Sequence, residues 1–285
     1  MTRVTAAAGV GRTSHRFARM PPAPPPSSLR VVVTGAAGGI GAAIAGRLAQ
    51  EGAQVLITDV DAARLEQTAQ RLGVESVAAD IATVAGVAAG IDAATERFGG
   101  IDAYFANAGI VGGEGLATPD EQWATTYAIN VQAHVRAARL LMPGWAERGH
   151  GRFVVTASAA GLLSMLDAAP YSVTKHAAVA FAEWLAITYG GKGITVQAIC
   201  PEGVRTAMLE QAGHLAQLLE AHGARTPDEV ADLVWTALHD HRFLILPHPE
   251  VGDYYRARAT DTDSWLAGMQ RLQSRFEHLK ESPTA

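Results

Sequence analysis

Residues 29–34 form a short apolar run. The seven residues after it, Gly35-Ala36-Ala37-Gly38-Gly39-Ile40-Gly41, carry four glycines before a helical pattern begins. Glycine enters the backbone conformations of a tight strand-to-helix reversal without a Cβ penalty. A helix starting there presents free backbone amides, and a pyrophosphate can approach them because no side chain intervenes. An ordinary strand-to-helix turn is the plainer alternative. The position straight after an apolar strand favours the phosphate-binding reading.

The rest of the chain repeats this alternation. Apolar runs at 54–58, 75–79, 101–106, 152–157, 194–200 and 243–246 read as further buried strands. Helical patterns fall at 38–52, 61–72, 83–98, 119–147, 171–190 and 227–240. Strands alternating with helices predict an α/β chain with a doubly wound (Rossmann-type), mainly seven-stranded parallel sheet and helices on both faces. Two helix starts are sharply marked. Thr118-Pro119-Asp120-Glu121 and Thr226-Pro227-Asp228-Glu229 each offer Thr as N-cap, Pro at the first helical position and Glu two residues later. Abundant Ala and 29 Gly, with only 6% aromatic residues, suit closely packed helices.

Composition removes several classes. One cysteine, Cys200, forms no internal disulfide and builds no zinc site, and the ten histidines show no metal-ligand spacing, so no metal is expected. No apolar run reaches the length of a membrane span. A net charge of −5 does not fit the basic stripe of a nucleic-acid binder. The expectation is a reduced, cytoplasmic protein that binds small molecules, neither nucleic acid nor membrane.

The length divides into three parts. Residues 1–28 hold four arginines, no acid and a Pro-rich run at 21–26; they read as a disordered leader. An organelle transit peptide and a later start at Met20 stay open. Residues 29–246 hold the strand–helix alternation. Within them, 207–225 read as a mobile helical flap bearing Met208, Leu209, Leu215, Leu218 and Leu219. Residues 247–285 read as a helical extension. In it Trp265, Met269, Leu272, Phe276 and Leu279 recur at spacings 4, 3, 4, 3, one apolar stripe on a helix. The stripe suits packing on the chain's own core, a subunit contact or a wall of a substrate pocket.

Asp59 closes the second strand, 18 residues beyond Gly41. A carboxylate there accepts hydrogen bonds from adenosine ribose hydroxyls and repels a 2′-phosphate. Its sequence neighbours Val60 and Asp61, and Ala36 and Ala37 in the turn, bring no cation. This favours NAD over NADP. Asp61 suits the plainer task of capping the next helix.

On these residues the chain resembles the short-chain dehydrogenase/reductase family over about 29–246. Thr34 to Gly41 looks like the TGxxxGIG cofactor turn. Asp80, followed by Ile81, resembles the acid that meets the adenine ring. Asn107-Ala108-Gly109 resembles the element that supports the central sheet. Asn130, Ser158, Tyr171 and Lys175 resemble the catalytic tetrad. Pro201, Val204 and Thr206 hold positions that the resemblance places near the nicotinamide. Glu202 stands where the family usually has Gly, which puts the shape of that turn in question. The resemblance also implies a homodimer or homotetramer packed through the helices at 119–147 and 171–190.

The tetrad also makes chemical sense. Tyr171 and Lys175 are four apart and share a helix face. A phenol with pKa near 10 is a poor base; bringing it to about 7 takes on the order of 4 kcal/mol, which a neighbouring ammonium can largely supply. Lys175 is further expected to hold the nicotinamide ribose, Ser158 the substrate oxygen, and Asn130 a water leading to solvent. Thr156 and Ser164 compete with Ser158 for its role, and His134, His176 and Cys200 read as structural. The reading is an NAD-dependent alcohol dehydrogenase or carbonyl reductase for a secondary alcohol or ketone, with the apolar flap favouring an apolar one. Gly38-Gly39 also fits the turn of extended-branch sugar epimerases and dehydratases, and a non-catalytic dinucleotide-binding regulator is the rival outside enzymes. Asn107-Ala108-Gly109 and the short stretch after residue 200 favour the compact oxidoreductase branch.

Overall fold

The computed structural model describes residues 29–281 apart from 114, 213, 222 and 241. The expected leader, 1–28, lies outside the described residues, as do the side chains of Leu215, Leu218 and Leu279. The chain runs β1 (Arg30–Thr34), α1 (Gly39–Gln50), β2 (Gln54–Asp59), α2 (Ala62–Leu72), β3 (Glu75–Ala78), α3 (Val84–Phe98) and β4 (Ala103–Ala106). It continues through α4 (Asp120–Tyr127), α5 (Ala133–Arg148), β5 (Gly151–Thr156), α6 (Ala169–Tyr189), β6 (Ile194–Ile199), α7 (Ala207–Glu210) and α8 (His214–Ala221). Last come α9 (Pro227–Leu238), β7 (Leu244–Ile245), α10 (Glu250–Thr260) and α11 (Thr262–Glu281).

The seven strands pair in parallel in the order β3-β2-β1-β4-β5-β6-β7. Parallel strands covered on both faces are apolar along their whole length, which is why the central ones read as continuous runs. Alternate side chains feed two cores. Val32, Phe153 and Val155 face α3, α5 and α6. Val31, Val33 and Val154 face α1, α2 and α9. The strand order reverses between β1 and β4, and the crevice beyond their C-terminal ends is where such sheets take ligands.

Two local expectations need correction. The helix expected over 119–147 is divided: α4 ends at Tyr127, a π-helical turn covers Ala128–Gln132, and α5 follows. A π-helical turn takes up one extra residue, a single shift in spacing that a pattern read over the whole segment does not single out. Second, α4 starts one residue late, with Pro119 rather than Thr118 at the N-cap and no capping side-chain bond. The tail, expected as a helical extension, holds two helices, separated at Asp261. By contrast Thr226 and Glu229 form a complete capping box on α9, and Asp61 caps α2 by accepting from the Arg64 amide. The extension is tied to the body, because Val251 of α10 is fully buried in the α3–α5–α6 core. Among the described residues no helix is long and apolar enough to cross a membrane.

Candidate active site

The glycine turn leaves β1 at Gly35, whose φ is +64°; a Cβ there would lie 2.6 Å from the Ala108 Cα. Gly39 also has positive φ, and a Cβ on Gly41 would lie 2.5 Å from the Asn107 Nδ2 and Gly35 oxygen. These glycines let two loops, after β1 and after β4, close on each other. Asn107 donates from Nδ2 to the carbonyls of Thr34 and Gly35, while the amides of Asn107 and Ala108 donate to Thr34 Oγ1. Gly38 caps α1 without any side-chain bond, so the first amides of that helix stay available to an anion.

One cavity of about 690 Å³ runs along this edge. At one end stand Asp59, Asp80 and Ile81; next come Gly35, Gly38, Gly39 and Ile40, then Asn107 to Gly109. Asp59 Oδ2 accepts from the Ala37 amide at 3.0 Å and Oδ1 from the Asp61 amide at 3.1 Å, which fixes the carboxylate beside the turn. Asp80 Oδ1 accepts from the Ala82 amide at 2.9 Å. A cation does stand here, contrary to the sequence expectation. Arg64, on α2, lines the same end, and a Cβ on Gly38 would meet its Nη2 at 3.1 Å. Its chain distance from Asp59 hid it; the first turn of α2 folds it back.

Ser158, Tyr171 and Lys175 line the same cavity, as do Pro201, Val204 and Thr206. Asn130 and Gly41 stand behind its wall. Asn130 sits in the π-helical turn, with Oδ1 accepting from the Ile110 amide and Nδ2 donating to the Ile110 carbonyl and Thr174 Oγ1. It therefore clamps the loop after β4 onto α6. A Cβ on Gly109 would meet both the Lys175 Nζ, at 3.1 Å, and the Asn130 Oδ1, at 3.2 Å, so these two polar groups approach each other across that glycine.

Lys175 is 3% exposed and donates from Nζ to the Thr156 carbonyl at 2.8 Å. Burial brings its pKa down to about 8. Nζ lies 5.5 Å from the Tyr171 ring centroid. The Tyr171 phenol is held above its ordinary value by burial, and a hydrogen bond with Ser158 works in the opposite direction. The ammonium is turned toward the Thr156 carbonyl, and burial discourages both charges. Ser158 is the hydroxyl that reaches Tyr171, although Thr156 and Ser164 also line the cavity. Its Oγ accepts from the Ala160 amide at 3.1 Å and donates to the Pro201 carbonyl at 3.4 Å. Cys200 is a buried thiol whose pKa burial raises to about 12, which suits a filler.

Beyond Tyr171 the wall becomes apolar. Leu163, Met165 and Leu166 come from the segment after β5, Met208, Leu209 and Leu219 from α7 and α8, and Tyr254, Trp265, Met269 and Leu272 from α10 and α11. The tail stripe thus splits: three of its residues face the cavity, while Phe276 is buried. Two residues of this region carried no sequence signal that was used. Arg258 fastens α10 by donating to the carbonyls of Leu162 and Leu163 and to His176 Nε2. His248, between two prolines just after β7, accepts the Glu202 amide on Nδ1.

Comparison with known proteins agrees with this geometry. The family model described as short chain dehydrogenase matches residues 30–216. The chain is 36% identical over 230 residues to the 1-deoxy-11-beta-hydroxypentalenate dehydrogenase of Streptomyces avermitilis, covering 77% of this chain and 84% of that protein. To the protein of the same name from Streptomyces exfoliatus it is 34% identical over 268 residues, covering 89% and 94%. A short-chain dehydrogenase/reductase from Burkholderia phymatum, solved in complex with NAD, superposes with a TM-score of 0.75 at 28% identity, covering 90% of this chain and 96% of that one.

Proposed function

The chain belongs to the short-chain dehydrogenase/reductase family, an oxidoreductase acting on hydroxyl and keto groups, and from that premise we propose that it is an NAD(H)-dependent dehydrogenase or reductase of a bulky, largely apolar secondary alcohol or ketone. The observation that carries this reading is the meeting of Ser158, Tyr171 and Lys175 with the glycine turn in one cavity that ends in an apolar chamber.

The glycine turn and the open first turn of α1 suit the pyrophosphate, since a Cβ at Gly35 would fill the cradle. Asp59 suits the ribose hydroxyls and works against a 2′-phosphate; Arg64 at the same end opposes that repulsion, so the NAD reading rests on the Asp59 carboxylate held by the Ala37 and Asp61 amides. Asp80 and Ile81 would flank the adenine, and Pro201, Val204 and Thr206 the nicotinamide. Lys175 and Tyr171 would hold the nicotinamide ribose from the other side. The bound dinucleotide accepts or gives the hydride. Tyr171 carries the proton to or from the substrate oxygen, and Ser158 holds that oxygen by a hydrogen bond. Lys175 bonds the ribose and favours the phenolate, and Asn130 keeps the proton path behind Lys175 in place. The named relatives support an alcohol on a sizeable carbon skeleton as the substrate class. The exposed apolar side chains of α6 support a homodimer or homotetramer.

One experiment tests the reading. Tyr171→Phe should lower turnover by about three orders of magnitude, as loss of an acid–base group does, with NADH binding retained. The assay follows NADH absorbance over a panel of hydrophobic secondary alcohols with NAD and with NADP. Wild-type turnover in the variant, or a clear preference of the enzyme for NADP, would refute it.

A further inference from the structure

The turn after β6 carries Glu202 where the family resemblance leads one to expect glycine, and the structure gives that turn a partner. Glu202 does not have positive φ, so a side chain fits there without strain. From one side the Pro201 carbonyl accepts from the Ala159 amide at 2.7 Å and from Ser158 Oγ at 3.4 Å. From the other, the Glu202 amide donates to His248 Nδ1 at 3.1 Å. His248 is 2% exposed and its Nε2 is buried, with the Gly223 carbonyl facing the ring. Its own carbonyl accepts from the Val251 amide, so the residue is seated at the start of α10. Farther along, the Arg205 amide donates to the Arg225 carbonyl and the Arg225 amide to the Gly203 carbonyl, which docks the rest of the turn against the start of α9.

We propose that His248 is a positioning residue for the cofactor, holding the Pro201–Val204 turn in its binding shape through an unprotonated Nδ1. The inference rests on the reading above that this turn flanks the nicotinamide. The donor logic is strict. An amide N–H requires a bare ring nitrogen, so the imidazole is neutral, with its proton on Nε2. Protonation would place Nδ1–H against the Glu202 N–H and break the bond. The charged groups facing the ring are Glu202 in the turn, Arg225 ahead of α9 and Glu250 in α10, together with the Gly223 carbonyl. Burial holds the imidazole below its ordinary value; Glu202, Glu250 and the carbonyl oppose this, and Arg225 adds to it. Acid therefore loosens the turn.

The test uses the full chain with NADH as probe and two variants, His248→Leu and His248→Asn; the Asn side-chain oxygen can replace Nδ1 but cannot titrate. Loss of one buried hydrogen bond predicts NADH binding about 5- to 10-fold weaker in His248→Leu. His248→Asn should stay within about twofold of wild type. Wild-type affinity should fall as pH drops below the ordinary histidine range, and the Asn variant should not show that fall. Independently of cofactor, deuterium exchange of the 201–205 segment should quicken in His248→Leu and remain slow in His248→Asn. Wild-type affinity and protection in His248→Leu, or the same acid loss in wild type and His248→Asn, would overturn the proposal. If the wild type binds no NADH at all, the functional reading fails instead, and exchange alone still judges His248.

Discussion

Asp102 shows how much a single side chain can do away from the cavity. It stands just before β4, 7% exposed, and receives the Arg30 Nε and Nη2, at 2.8 and 2.7 Å, as well as the Arg30 amide. Arg148 approaches at 3.3 Å and His150 at 3.8 Å. Burial works against the carboxylate, yet the bonds from Arg30 and the charge of Arg148 together hold its pKa below the ordinary 3.8. A carboxylate with a depressed folded pKa stabilises the fold above its unfolded value, and that stability disappears as pH falls through the folded one. Asp102→Asn should cost about 2 kcal/mol at pH 7, discounted for the partial exposure of both arginines, or roughly 5 °C in Tm. The gap between wild type and variant should close below about pH 4, read by thermal melts across pH. At this same scale the sequence showed Tyr171, Lys175 and Ser158 through spacing and type. It could not show that Lys175 points to the Thr156 carbonyl, because that bond joins β5 to α6.

Among the elements, α10 and α11 set the apolar end of the cavity. Arg258 is their fastening: besides Leu162 and Leu163, it donates to His176 Nε2 at 3.0 Å, while His176 Nδ1 pairs with the Ser172 carbonyl at 2.8 Å. The guanidinium also lies 5.1 Å from the Trp265 ring centroid, so the clasp and the wall residue share one contact. Trp265→Ala removes apolar surface from the wall of the cavity. It should raise KM about tenfold for a bulky apolar alcohol and leave turnover of a small one such as 2-propanol near wild type. Arg258→Leu should change the ratio in the same direction through a loosened wall. Equal effects on bulky and small substrates would argue for general destabilisation. The stripe Trp265-Met269-Leu272-Phe276 was legible as one helix face, with packing on the chain's own core as its plainer destination and a subunit contact or a pocket wall as the others. Only the position of α11 over the cavity separated Phe276, which is buried, from the other three.

For the whole molecule, the order of strands brings the site together, and α6 points outward from it. Val173, Trp184 and Ile187 fall on one stripe of that helix and are 54%, 55% and 83% exposed. Leu140 of α5 and Tyr127 of α4 add apolar surface on neighbouring helices. Such exposed large side chains suit a covered face between copies of the chain. Ile187→Asp with Trp184→Glu should shift the protein toward monomer in sedimentation velocity, with the Tm of the monomer falling little. An unchanged sedimentation coefficient would assign the assembly, or its absence, to another surface.

The amino-acid sequence determined what depends on neighbours along the chain. Apolar runs fixed the strands, glycines fixed the turn between β1 and α1, Thr226 and Glu229 fixed a helix start, and Tyr171 and Lys175 took their common face from helical spacing. Local backbone sterics and periodic burial decide these, and both act within a few residues. Tertiary structure decided what depends on residues far apart in the chain. It placed Arg64 over Gly38, His248 under the Glu202 amide, Arg258 on His176 and Asp102 between Arg30 and Arg148. It also opened a π-helical turn around Asn130. Each of these is a hydrogen bond, charge contact or packing choice made across elements, and its partner exists only once the sheet has closed.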